Sequence, residues 1–345
     1  MQTAPASALL EMSKDYVDHL SRREASWYWH SDGDTRGAIP FAVSTLYRGQ
    51  NARFTPMLPS IARGLQSRDI EKIFESPVSD QAKIVLRIAQ AWWFARELAR
   101  HPISSHAASQ HLDLNEIALA QHYGIPTGYL DLSDDFNVSA FFATCYETEK
   151  GWRPVDTGVG IVYRVHLGIL KNPFNNYIPL GPQQLPRPSE QCAWVTELPF
   201  CHSFEGSPGV EMLQFQHDRN VGEYFLEMYN GGERLFPRDP LADVAAEILA
   251  CREIPIDLMD AALDSLATDP YGVLPAHLPA LRNEISALTS LVSYRRLLTD
   301  RDIESLITNQ DWSRKMLGVA RARAVAVRRI RVPQAGTDTE SDLAS

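Results

Sequence analysis

Three short stretches of the chain combine residue types that can do chemistry. The first is LYRGQ at 46–50. An arginine closing a β-patterned run can aim its guanidinium into a cleft, and the following glycine lets a ligand or another strand approach the backbone closely. A guanidinium binds phosphate through paired hydrogen bonds, so a diphosphate is a natural ligand for Arg48; a surface arginine at a strand end is the plainer alternative. The second stretch is LAQHYGIPTGYLDLSDDFNVSAFFA at 119–143. Gln121 and His122 close a helical pattern that stops at Gly124 and Pro126, which presents both side chains at a loop mouth. Asp131, Ser133, Asp134 and Asp135 precede an apolar helix, and Ser133 or Asp134 suits its N-cap, so this polar group serves capping as well as binding. His122 equally suits a buried histidine with one fixed hydrogen bond. The third stretch is LPRPSEQCAWV at 185–195, with Arg187, Glu190 and Gln191 before or at the start of a short strand. A carboxylate placed there and facing a cleft can bind a ribose hydroxyl or stabilise an oxocarbenium-like centre. A turn leading into an edge strand accounts for the same residues.

The elements that must position these groups follow from periodicity. Residues 7–24 space Leu9, Met12, Tyr16 and Leu20 three to four apart, as in an amphipathic helix. Residues 27–40, rich in Gly, Asp and aromatics, read as a loop. Residues 41–50 alternate as a strand, with Tyr47 on one face and Leu46 and Arg48 on the other. Helices are expected over about 80–100, 113–123 and 135–149. Strands are expected at 158–167, 191–198 and 210–217. From about 241 the pattern is helical apart from a turn-rich break at 268–279, and 285–298 and 303–324 read as amphipathic helices. The expectation is an α+β fold: a small mixed or antiparallel central sheet flanked by helices, with a helical C-terminal extension. The corresponding division is 1–40 (N-terminal helix and loop), 41–252 (the domain that carries the motifs), 253–333 (helical extension) and 334–345 (disordered tail).

Composition narrows the function class. The 345 residues include 33 Lys plus Arg and 43 Asp plus Glu, for a formal charge of −10. Eleven of those cations fall in 281–333, so residues 1–280 carry −13. An acidic body repels polyanions and argues against a nucleic-acid partner, with the basic run 314–331 as the one exception. No apolar stretch reaches the roughly 20 residues that span a bilayer, and the N-terminus does not read as a secretory signal. The expectation is a soluble, cytoplasmic protein without a membrane partner. Four scattered cysteines and no CxxC or HExxH spacing give no support to a disulfide framework or a metal site. Neither GxGxxG, a Walker-type loop nor GxSxG occurs. The apolar faces of the C-terminal helices need cover, either from the core or from a second copy in a homodimer.

Together these motifs resemble the FRG domain, a bacterial and phage family named for its Phe/Tyr-Arg-Gly motif. The family's opening matches Tyr47-Arg48-Gly49-Gln50, Leu58-Pro59-Ser60 and Arg63. Its central Gln-His-Tyr-Gly-x-Pro-Thr stands intact at 121–127, followed by Leu130-Asp131 and by Phe141-Phe142-Ala143. Arg187, Gln191 and Ala193 resemble a later element, and Leu235-Phe236-Pro237 a last one, so the resemblance spans roughly 41–250. Departures are Gly128 where the family usually has Arg, Leu132 for Trp, Ser133 for Thr and Phe136 for Pro. The first removes a cation that could face a phosphate.

The order of elements resembles the ADP-ribosyltransferase superfamily, and that resemblance implies roles. Arg48 would hold the NAD diphosphate. His122, Tyr123 and Thr127 would line the nicotinamide-ribose pocket, and Glu190 would orient the ribose 2′-OH and stabilise the cation formed as nicotinamide leaves. Tyr123 or Trp194 would stack on nicotinamide. Tyr47, Gly49, Gln50, Gln121, Asp131, Ser133 and Gln191 complete the implied binding set, with Arg48, His122 and Glu190 as catalytic residues. The implied function is an NAD-dependent ADP-ribosyltransferase or NAD glycohydrolase, a toxin or phage-defence effector, with NAD as substrate, no metal and a protein as a possible acceptor. The alternative is a non-catalytic module that binds a nucleotide or a protein through the same cleft.

Overall fold

In a computed structural model of the chain, the expected helices and strands assemble around an antiparallel six-stranded sheet. It describes residues 3–20, 27–32, 35–40, 43–66, 72–109, 114–170, 177–180, 185–198, 203–237, 239–269 and 272–309. In chain order the elements begin with α1 (Ser7–Leu20), β1 (Trp27–Asp32), β2 (Thr35–Pro40), β3 (Thr45–Gln50), α2 (Val78–Arg100), α3 (Pro102–Ser109) and α4 (Glu116–His122). There follow β4 (Tyr129–Ser133), α5 (Phe136–Thr144), β5 (Cys145–Thr148), β6 (Gly151–Pro154), β7 (Val159–His166) and β8 (Tyr177–Pro179). The next are α6 (Pro186–Glu190), β9 (Ala193–Glu197), β10 (Val210–Gln216), α7 (Arg219–Met228) and α8 (Pro240–Ala250). The last are β11 (Glu253–Pro255), α9 (Ile256–Thr268), α10 (Leu278–Leu288), β12 (Ser290–Val292) and α11 (Asp300–Thr308). The fold is α+β, as expected from the sequence.

The main sheet has the order β10-β7-β3-β4-β9-β8, and every neighbouring pair is antiparallel. Strand alternation feeds two cores, one on each face. Val162 and Phe215 pack with Phe136, Phe141 and Phe225 beneath α5 and α7. Leu46, Leu132, Ile161, Tyr163 and Trp194 pack with Phe204 on the other face. A third cluster is helical and joins α2, α4 and α8 to α9 and α10. Leu258, Leu263, Leu281 and Ile285 are buried in it beside Ile84, Trp93 and Phe94. The described part of the C-terminal segment therefore spends its apolar face on α2, which is the core alternative for its cover.

Several local expectations are corrected. Residues 27–32 and 35–40 pair as the antiparallel strands β1 and β2, with Trp27 paired to Pro40 and Asp32 to Thr35. The aromatic run Trp27-Tyr28-Trp29 ahead of Asp32-Gly33 is a strand-and-turn signature that outweighs local polarity. The helix expected over 135–149 ends at Thr144, because Cys145–Thr148 pairs with Gly151–Pro154 through a turn that needs Gly151 at φ 100. Its cap is Asp135, which accepts from the Asn137 and Val138 amides. The helix expected over 285–298 stops at Leu288. Thr289 is extended and donates its hydroxyl to the Arg252 carbonyl, and 290–292 pairs in parallel with β11. The helix expected over 303–324 starts three residues earlier as α11 and ends at Thr308; residues 310–324, the basic run 314–331 and the tail 334–345 lie outside the described residues.

Candidate functional site

The six-stranded sheet is split down its middle. β3 pairs with β7 along all of Thr45–Gln50, and β4 pairs with β9 along all of Tyr129–Ser133. Between β3 and β4 the only ladder pair is Tyr47 with Ser133. Beyond that pair the two strands share no ladder pair, so their facing edges call for other partners. Arg48 supplies one by reaching across the gap to donate to the Asp131 carbonyl. A cavity of about 970 Å³ opens at this split.

Its wall contains Tyr47, Arg48, Gly49, Gln50, Gln121, His122, Tyr123, Asp131, Ser133 and Gln191 from the expected set. Arg53, Arg63 and Arg187 also line it, against the two carboxylates Asp131 and Glu147. Four guanidiniums facing two acids make the cavity cationic within an acidic chain. Burial lowers the pKa of Arg48 to about 10, with Asp131 opposing the shift, so it stays charged at neutral pH. Burial likewise lowers that of Arg63.

Polar side chains in the wall are held by an ordered network. The Ser60 and Thr127 hydroxyls donate to Gln121 Oε1 at 2.6 and 2.9 Å, which turns Gln121 Nε2 toward Asp131 Oδ2 at 3.1 Å. His122 Nδ1 lies 3.2 Å from Gln191 Oε1, while Gln191 Nε2 donates to the Leu235 carbonyl at 3.0 Å. Ser133 donates to the Gln191 carbonyl at 2.8 Å and ties the third motif to the end of β4. The Tyr123 hydroxyl donates to Asp239, and its pKa is raised well above the ordinary phenol value, first by burial and then by that carboxylate. Arg187 stacks over the Tyr123 and Phe236 rings at 5.1 and 5.7 Å. Trp152 and Phe236 stack at 5.2 Å and add an aromatic wall.

Three expected site residues stand elsewhere. Glu190 is the last residue of α6 and faces Arg234 at 3.6 Å; it does not line the cavity. The segment begins with Pro186 at the first helical position and forms a helical turn where a strand start was expected. Cys192, at φ 48, then redirects the chain into β9. Trp194 is 1% exposed, packed in the core with Leu46, Leu132 and Phe204, and does not line the cavity. Thr127 is buried behind Gln121 and orients that amide. Gly49 has a different role from the one expected. A Cβ there would lie 1.7 Å from the Ser139 carbonyl oxygen, so the bare backbone seats α5 directly on β3. Arg53, Glu147 and Trp152 were not singled out by sequence; they reach the cavity from the segment after β3 and from the β5–β6 hairpin, which no motif marks.

Fold and site together define an α+β domain with a cationic cleft in a split antiparallel sheet. Residues 43–151 match the model of the FRG domain. The matched span runs from the approach to β3 to the first residue of β6. It supplies Arg48, Gln121, His122, Asp131 and Ser133, while Arg187, Gln191 and Phe236 come from beyond it. No curated protein and no solved structure matched in the same comparisons. Among the described residues, no helix is long and apolar enough to cross a membrane.

Proposed function

We propose that the protein binds NAD in the β3–β4 cleft and cleaves its nicotinamide–ribose bond, as an NAD-dependent ADP-ribosyltransferase or NAD glycohydrolase. The observation that carries this reading is the cationic cavity at the sheet split, with Arg48 beside Arg63 and Arg187 in its wall. Guanidiniums suit a diphosphate, and about 970 Å³ falls at the upper end of the usual range of about 300–1,000 Å³ for small-molecule sites, room for a dinucleotide. The element order that resembles the ADP-ribosyltransferase superfamily supports the same choice. In the reaction nicotinamide departs with its bonding electrons, and the cation left at the ribose C1′ is captured by water or an acceptor hydroxyl. Positioning and electrostatics carry such a step. The toxin or phage-defence role implied by the family resemblance belongs to this reading.

A second reading is a nucleotide-sensing module without turnover. Glu190 favours it, because it pairs with Arg234 away from the cavity and leaves the amide of Gln191 at the third motif. Nicotinamide release from NAD by wild type, Arg48→Ala and Glu190→Ala separates the two. The first reading predicts release that Arg48→Ala abolishes and Glu190→Ala retains. Saturable NAD binding with no release selects the sensor, and no binding by wild type overturns both.

A further inference from the structure

The network around the cavity leaves two acceptor atoms bare, side by side. Gln191 Nε2 must donate to the Leu235 carbonyl, so Gln191 Oε1 is an acceptor and the proton of a neutral His122 sits on Nδ1. That leaves His122 Nε2 as a lone pair. On the facing side, Thr127 Oγ1 accepts from the Tyr129 amide and turns its proton to Gln121 Oε1, while Ser60 Oγ accepts from the Thr127 amide and has Gln121 Oε1 and the Thr127 carbonyl as acceptors. Gln121 Nε2 then donates to Asp131 Oδ2, and Asp131 Oδ1 is left without a hydrogen bond. His122 Nε2 and Asp131 Oδ1 stand 3.4 Å apart, both shielded from solvent and both without a hydrogen-bond partner. His122 is 8% exposed, and both residues line the cavity. Two shielded acceptors at this spacing repel one another until donors arrive.

We infer that His122 Nε2 and Asp131 Oδ1 form a subsite for a ribose cis-diol, each taking the hydrogen of one hydroxyl. A cis-diol carries two donors at a matching short spacing. The Asp131 carboxylate also acts electrostatically on both Arg48 and Arg63, so the hydroxyl-bearing ring sits beside the groups that suit phosphate. The ligand class is therefore a ribosyl phosphate with both ring hydroxyls free. Within the NAD reading, on which this inference rests, it is the nicotinamide ribose, and Asp131 takes the hydroxyl-orienting part first expected of Glu190.

The test is calorimetric titration of wild type and Asp131→Asn with ADP-ribose and with ADP, which lacks the second ribose. The asparagine oxygen satisfies Gln121 and its amide donates to His122 Nε2, which closes the subsite without leaving the wall unpaired. Wild type is expected to prefer ADP-ribose about tenfold, the size of a hydrogen bond to a charged group. In Asp131→Asn the preference is lost, because the change in charge beside the arginines acts on both ligands alike and only ADP-ribose loses a hydroxyl contact. Equal affinities in wild type, a preference that survives in the variant, or an equal loss of both ligands overturns the subsite while leaving a nucleotide site in place. Binding of neither ligand by wild type overturns the NAD reading as well. A wild-type measurement stands beside the variant in case it does not fold: ¹⁵N spectra of labelled histidine, with His122 assigned by His122→Gln. The expected result is an Nδ1–H tautomer whose Nε2 signal moves with ADP-ribose and not with ADP. A doubly protonated ring that neither ligand perturbs contradicts the inference.

Discussion

Replacing Gly49 with alanine tests whether α5 rests on the bare backbone of β3. The added Cβ would lie 1.7 Å from the Ser139 carbonyl oxygen and 2.7 Å from the Ala143 amide nitrogen. Both are backbone atoms of a helix, so no side chain can rotate away, and relief requires α5 to retreat by about 1.5 Å to reach ordinary contact. Gly160 on β7 is a second sign of the same close seating, since a Cβ there would lie 2.8 Å from the Ala143 carbonyl oxygen. Overpacking costs about 1–3 kcal/mol in cores that can adjust, and a clash between two backbones places Gly49→Ala at roughly 3 kcal/mol or more. At roughly 2 °C per kcal/mol for a chain of this size, Tm falls by about 6 °C or more. Gly128→Ala is the control. Its Cβ meets nothing closer than the Leu198 carbonyl oxygen at 4.0 Å, so it stays within about 1 kcal/mol of wild type and tends toward stabilisation. Thermal and urea unfolding of the two variants read the difference. A Gly49→Ala protein as stable as wild type would refute the seating of α5, and with it the placement of Val138, Ser139 and Phe142 in the cavity wall.

Other outcomes follow from buried titratable groups. Burial lowers the pKa of His101 to about 4 from an ordinary value near 6.5, so its contribution is complete above about pH 6.5 and is lost as pH falls toward 4. Denaturation curves over that window should show His101→Asn losing less stability than wild type, by at most about 3 kcal/mol. Burial raises the pKa of Asp239 and the Tyr123 hydroxyl restrains the shift, so Tyr123→Phe should raise it further. The stability lost in Tyr123→Phe, about 1–3 kcal/mol for the abandoned carboxylate, should then grow as pH rises through the folded-state pKa and shrink in acid; urea midpoints against pH check it. Asp135→Ala removes the acceptor for two amides at the start of α5 and should cost about 1 kcal/mol, read as a lower urea midpoint with an unchanged slope.

The site was legible where local sequence dictates local geometry. Arg48 at the end of a β-run and Gln121-His122 ahead of Gly124 are placed by periodicity and a helix stop, and both reach the cavity. Glu190 was misplaced because one turn of helix starting at Pro186, followed by the left-handed Cys192, rotates it outward and brings Gln191 inward; a five-residue helix leaves no periodic trace. Trp194 was misread because alternation along β9 does not say whether a side chain on one face meets the core or the cavity. The β1–β2 pair was hidden by glycine and aspartate, although its aromatics carried the signal. The sheet split could not be read at all, since it depends on register between strands about 80 residues apart.

The most direct test of the central claim is calorimetric titration of NAD into wild type and Arg48→Lys. The lysine keeps the charge but loses the planar fork that reaches across the split. The account predicts saturable one-to-one binding by wild type, weakened at least tenfold by Arg48→Lys in protein that remains folded. Absence of NAD binding by wild type, or equal binding by the two proteins, would contradict it.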